Sequence, residues 1–172
     1  MTTRKKKSAG KSLVIVESPA KARTLERILG RKYELKASLG HVRDLPKSKL
    51  GVDVDNGFSP EYVVPRAKSK IAKELRDASK KASTIFLATD PDREGEAIGW
   101  HVWQAIRRTL PKDAPIYRIT FHEITPNAVH TAIAQASSLN QPLIEAQQTR
   151  RILDRLVGYS ISPLLWKRVS GL

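Results

Sequence analysis

The sequence predicts an α/β domain, a four-stranded and mostly parallel sheet flanked by helices. Three observations carry that prediction. Two short unbroken apolar runs, residues 13–16 and 84–88, read as strands buried on both faces. Strand candidates alternate with segments of helical spacing, which implies right-handed crossovers and a parallel sheet. Acids cluster directly after residue 88, at a strand's carboxyl end, the edge where open α/β sheets bind ligands.

The elements follow in chain order. The first strand ends at Glu17. Ser18 then offers an N-cap, Pro19 suits the first helical position, and Ala22, Leu25, Ile28 and Leu29 keep helical spacing up to Gly30. Residues 33–38 alternate and form a second strand candidate. Residues 39–66 hold Gly40, Pro46, Gly51, Gly57, Pro60 and Pro65 and read as a long irregular excursion; loops of this length are usually functional. Ile71, Leu75 and Ala78 mark a helix over 67–81, with Lys70–Glu74 and Lys73–Asp77 as i,i+4 pairs. After the third strand, 84–88, a helix over 94–110 buries Ile98, Val102, Ala105 and Ile106. A short fourth strand spans 116–119, and two further helices span 125–136 and 142–157.

The strongest compositional fact is charge: 31 Lys+Arg against 17 Asp+Glu, a formal net charge of +14. Arg4, Lys5, Lys6, Lys7 and Lys11 stand in the first twelve residues with no acid among them, and the rest of the chain still carries +9. Residues 1–11 therefore read as a basic flexible tail, and the whole chain favours a polyanion as partner. No stretch approaches the roughly 20 apolar residues of a membrane span, and no apolar segment follows the basic start as a secretory signal requires. Without cysteine there are no disulfides or thiolate metal sites, which suits a reducing compartment.

Asp90, Asp92, Glu94 and Glu96 alternate through the segment that follows the third strand. Two such charges some 5–6 Å apart would repel by about 3 kcal/mol at an effective dielectric near 20. A hard divalent cation resolves the repulsion, because Mg²⁺ takes carboxylate oxygens and keeps room for substrate phosphates. If the first and third strands lie parallel in one sheet, Glu17 approaches the same edge. Glu17, Asp90 and Asp92 then make a Mg²⁺ site with Glu94 in support. The macrodipole alone also favours acids in a helix's first turn, which accounts for Asp92 and Glu94 but least well for Asp90. Lys21 stands in a first turn, where a cation is disfavoured unless an anion docks there; an exposed lysine pointing to water is the plain alternative. Arg93 reads either as a phosphate ligand or as a partner of neighbouring acids.

Two motif fragments are decoys. Gly10-Lys11-Ser12 mimics the end of a phosphate-binding loop, but it precedes a strand and has Lys5 where a glycine is needed. The run from Asp90 to Gly95 imitates a calcium-binding loop, but its twelfth position is His101 rather than glutamate. Among the histidines only His41, between Gly40 and Arg43, has a possible phosphate role. Of the basic stretches 66–81 and 150–168, one is expected to follow DNA; Arg150, Arg151, Arg155, Lys167 and Arg168 are the candidates there.

Five segments in register, VESPAKA (16–22), SLGHVRDLP (38–46), ATDPDREGEAIGWH (88–101), RITFHEIT (118–125) and DRLVGYSISPLLWK (154–167), resemble the N-terminal part of bacterial type IA DNA topoisomerases. The resemblance implies a Toprim fold over residues 12–123 and the start of a helical DNA-binding domain over 124–172. It implies Mg²⁺ as cofactor, with Asp90 and Asp92 as ligands and Glu94 in support. Glu17 becomes the Toprim glutamate, acting in proton transfer or metal binding, and Lys21 the lysine that stabilises the leaving 3′-oxygen. The implied reaction relaxes negatively supercoiled DNA without ATP: a tyrosine breaks one strand, another strand passes, and the break is rejoined. Tyr33, Tyr62, Tyr117 and Tyr159 match none of the contexts of that nucleophile. The chain is therefore expected to be an N-terminal fragment, inactive alone, monomeric and cytoplasmic beside the nucleoid. The alternative class is a free-standing Toprim nuclease or primase-like protein.

Overall fold

Four parallel strands with helices on both faces make the architecture. In the computed structural model, residues 10–111 and 114–169 are described, with side chains as far as residue 162 in the last helix. Strand β1 (Ser12–Val16) leads into α1 (Pro19–Leu29), a short 3₁₀ turn and β2 (Tyr33–Ala37). A two-stranded hairpin, β3 (Val52–Asp53) and β4 (Ser59–Pro60), interrupts the expected irregular excursion. Then come α2 (Ser69–Ser79), β5 (Thr84–Leu87), α3 (Arg93–Ile106), β6 (Ile116–Arg118), α4 (Pro126–Ala134) and α5 (Gln141–Val169).

The main sheet has the order β2-β1-β5-β6, and every pairing in it is parallel. The chain moves from β1 outward to β2, then returns to the other side of β1 for β5. That reversal places a switch point between β1 and β5, where ligands of open α/β sheets bind. Register brings the two strand ends level, since Ile15 pairs with Leu87 and Ala88 N–H bonds Ile15 O at 2.8 Å.

Alternation along the strands divides the core between the two faces. Leu13, Ile15, Ile85 and Leu87 meet Leu75, Val102 and Ile106 from α2 and α3. Val14, Val16, Phe86 and Ala88 meet Leu25 and Leu29 of α1 and Val129 and Ala132 of α4. Both faces of the central strands are covered, so the strands read as unbroken apolar runs.

The local signals act as expected at the helix starts. Ser18 accepts from Lys21 N–H at 3.3 Å with Pro19 following, and Gly30 ends α1 at φ 68°. Thr125 caps α4 in the same way, again ahead of a proline. Three expectations need correction. Helix α5 does not stop near residue 157 but continues to Val169. Neither pair expected on α2 forms; Asp77 bonds Lys80 instead, at 2.8 Å, as exposed side chains with little to gain from one geometry are free to do. Of the expected tail, residues 1–9 lie outside the described residues, whereas Lys11 O accepts from Ser83 N–H at 3.1 Å. No helix among the described residues is long and apolar enough to cross a membrane.

Candidate functional site

At the switch point the two acidic segments meet. Asp90 N–H donates to Glu17 Oε1 at 2.7 Å, across 73 residues of sequence. Lys21 Nζ donates to Asp90 Oδ1 and lies 4.0 Å from Glu17 Oε2, so one ammonium serves both carboxylates. Lys21 reaches them because it falls in the first turn of α1, four residues after Glu17, which directly follows β1. Asp92 caps α3, accepting from Gly95 N–H at 2.7 Å through Oδ1. Arg93 is exposed at the helix start.

Glu94 faces elsewhere. Its Oε1 lies 2.6 Å from His41 Nε2 and its Oε2 accepts from Gln147 at 3.2 Å. The turn before α3 and its first residues therefore send the alternating acids in different directions: Asp90 and Asp92 at the sheet edge, Glu94 toward a neighbouring cleft, and Glu96 inward. Glu96 is 3% exposed and takes Arg118 Nε at 2.7 Å. Thr89 Oγ1 donates to Gly95 O at 2.6 Å. Gly95 is pressed so close that an added Cβ would meet Asp90 O at 2.1 Å.

Glu17 and Asp90 offer only hard oxygen donors and already share one positive charge. That donor chemistry fits Mg²⁺, which is commonly held by one or two carboxylates together with substrate phosphates. As they stand, no three His, Cys, Asp or Glu side chains converge as a metal-holding group among the described residues.

The neighbouring cleft, of about 340 Å³, lies between the 39–66 excursion, α3 and α5. Arg151 makes a two-pronged pair with Asp44, at 3.0 and 2.8 Å. Burial disfavours the Asp44 charge, but hydrogen bonds from Arg151 and Leu45 N–H outweigh it and hold the carboxyl below its ordinary range. The same bond raises Arg151 above its ordinary value. Arg155 donates to the carbonyls of Pro46 and Lys49 at 2.6 and 3.2 Å. Arg150 is exposed and lies 3.9 Å from Asp154. The side chains of Lys167 and Arg168 fall outside the described residues.

His101 forms the floor of this cleft, with its ring 4.5 Å from Tyr62, 4.8 Å from Trp100 and 5.2 Å from His41, all edge-on. Three buried atoms on the lining, Tyr62 OH, His101 Nδ1 and Gln147 Oε1, have no hydrogen-bond partner among the described residues. Burial first, then the charges of His41 and Arg43, lower His101 to about 3. Burial and the Asp44 charge push Tyr62 up to about 12.

A histidine whose folded pKa lies below its unfolded value adds stability above the unfolded pKa, and that stability is lost as pH falls toward the folded one. From 6.5 down toward 3, stability should therefore drop by up to about 1.4 kcal/mol per pH unit. Urea midpoints of wild type and His101→Phe over this window check it: the variant should show a shallower slope, and equal slopes would assign the effect to another group.

Sequence reading grouped Glu17, Asp90 and Asp92 with Glu94 in support and treated Lys21 separately; the structure brings Glu17, Lys21 and Asp90 together and turns Glu94 to His41 and Gln147. It missed Asp44, Tyr62, His101 and Gln147 in the cleft, and the Glu96–Arg118 pair. One signal for the pair was legible: an arginine in a strand flanked by apolar residues, Ile116 and Ile119, needs a buried anion.

Together these features define an α/β domain with a carboxylate and lysine site at its sheet switch point. The chain belongs to the Toprim domain family, whose pattern matches residues 12–124. It is also similar to the structure of full-length topoisomerase I from Thermotoga maritima, with a TM-score of 0.80 and 47% identity over 90% of this chain. The chain spans 26% of the length of that relative.

Proposed function

We propose that this chain is the Toprim region of a type IA DNA topoisomerase, which relaxes negatively supercoiled DNA by Mg²⁺-dependent, ATP-independent breakage, passage and rejoining of one strand. The observation that carries this reading is the contact of Glu17, Lys21 and Asp90 at the sheet edge, in a chain 47% identical to a topoisomerase I. Glu17, Asp90 and Asp92 are the residues that would hold Mg²⁺, with Glu94 in support. When bound, the ion would supply charge compensation for the phosphodiester and the departing oxygen.

The chain's own residues do the rest. The Lys21 ammonium stands at the positive end of α1 beside the acids and offsets part of their charge, which favours a phosphate at this point. Lys21, already hydrogen-bonded to Asp90, is placed to give a proton to a departing 3′-oxygen. Glu17 accepts the Asp90 N–H through one oxygen and keeps the other for a proton or a cation. Along the cleft, Arg43, Arg150 and Arg151 supply cations, with His41 beside them, and the three unmet buried polar atoms offer hydrogen bonds to an unpaired strand. Arg93 and Arg155 extend that basic track in this reading, and Lys167 and Arg168 are its further candidates from the sequence.

None of the four tyrosines suits the nucleophile's role. Tyr33 and Tyr117 pack against Phe86, Tyr62 is held neutral by burial, and Tyr159 is exposed on α5. The chain alone is therefore expected to bind Mg²⁺ and single-stranded DNA as a monomer without relaxing supercoils. We place it in the cytoplasm beside the nucleoid.

Titration of Mg²⁺ into wild type and Asp90→Asn, followed by calorimetry, tests the reading. The substitution should weaken binding on the order of 10–100-fold, and equal affinities would remove Asp90 from the site. Incubation with supercoiled and single-stranded DNA separates the alternative. Metal-dependent nicking by this chain alone would favour a free-standing Toprim nuclease.

A further inference from the structure

We propose that Arg118, held by Glu96, is the positioning residue of the acid turn, fixing where the Asp90 peptide stands and with it the carboxylates of Asp90 and Asp92. The inference rests on the Mg²⁺ reading above only for its metal-binding consequence.

Arg118 is 3% exposed, at the end of β6, and its guanidinium is turned under the end of β5. Nη1 donates to Leu87 O at 3.1 Å, Thr89 O at 2.8 Å and Ile119 O at 2.6 Å. Nη2 donates to Asp90 O at 2.6 Å, and Nε holds Glu96 Oε2 at 2.7 Å. One planar group thus grips the chain at 87, 89 and 90, where it leaves the sheet and turns toward α3. The Asp90 peptide is gripped on its other side by Glu17, which takes its N–H.

Stability alone is a poor reason for such a pair. Buried ion pairs are often no better than apolar residues of similar volume, because both charges lose their water. What an arginine adds is direction: five donors in a rigid plane, against the three rotatable donors of a lysine. Glu96 completes the arrangement. Its second oxygen, Oε1, accepts from Asn140 N–H at 2.6 Å, just ahead of α5, and Arg118 pairs with Ser137 through both backbone groups, at 2.7 and 2.9 Å. The acid turn, β6 and the start of α5 are therefore held by one carboxylate and one guanidinium.

Arg118→Lys keeps the charge and loses the fork. The test compares it with wild type by Mg²⁺ titration and by amide exchange at Asp90, with the Val14 amide of the central strand as control. The expected result is a Mg²⁺ dissociation constant raised about tenfold, faster exchange at Asp90, and unchanged exchange at Val14. A purely structural role would move Asp90 and Val14 together. Unchanged affinity and unchanged Asp90 exchange in a folded variant would overturn the proposal. Should Arg118→Lys not fold, Glu96→Asp, which keeps the charge and withdraws the carboxylate, is read by the same criteria. If wild type itself binds no Mg²⁺, the metal reading fails, and Asp90 exchange alone decides for or against Arg118.

Discussion

Glu96→Ala should destabilise the fold by about 3–5 kcal/mol, the largest effect expected of any single substitution in this chain. The side chains of Glu96 and Arg118 are 4% and 2% exposed, so neither charge has water to fall back on. Removing the carboxylate leaves the guanidinium with backbone carbonyls but no counter-charge, and leaves Asn140 N–H without its acceptor. Chemical denaturation of the variant measures the loss. A midpoint within the range of ordinary surface substitutions would mean that water reaches Arg118 and that the pair is not sealed.

Gly95→Ala is the second large effect, with an expected loss of about 3 kcal/mol or more. Alanine is ordinarily the better helix former, by about 1 kcal/mol, so propensity predicts the opposite sign. The decisive fact is contact: the new Cβ would stand 2.1 Å from Asp90 O and 2.7 Å from Asp90 N. Both atoms are backbone, so no rotamer change relieves the overlap. Either α3 withdraws or the Asp90 peptide moves away from Glu17 and Arg118. Thermal unfolding shows the sign directly, and a stabilised variant would refute the close packing of α3 on the acid turn.

Most of the fold was legible because the strands are buried on both faces and the helix starts carry strong local chemistry. Residues 13–16 and 84–87 are unbroken apolar runs, and Ser18-Pro19 and Thr125-Pro126 combine a cap with a preset first turn. The length of α5 was not. Gly158 and Pro163, residue types that usually end a helix, lie inside it, while Arg151 and Arg155 fasten its earlier turns to the 39–66 excursion.

The meeting of Glu17 with Asp90 followed from strand-end logic alone, since parallel neighbours finish at the same edge. The divergence of the later acids did not. In sequence Glu94 and Glu96 continue one alternation, but a helix turns about 100° per residue, sending one toward His41 and the other into the core. His101 was equally hidden. Its burial arises from the excursion, which lays His41 and Tyr62 over α3, and no periodicity within α3 announces that.

The switch point between β1 and β5 also sets an order of assembly. Glu17 leaves the ribosome 73 residues before Asp90, and the strut from Glu96 ends at Asn140. Until that late segment has emerged, Glu96 lacks its Asn140 partner and the acid turn lacks part of its support. The acid turn is completed only by contacts between segments far apart in sequence.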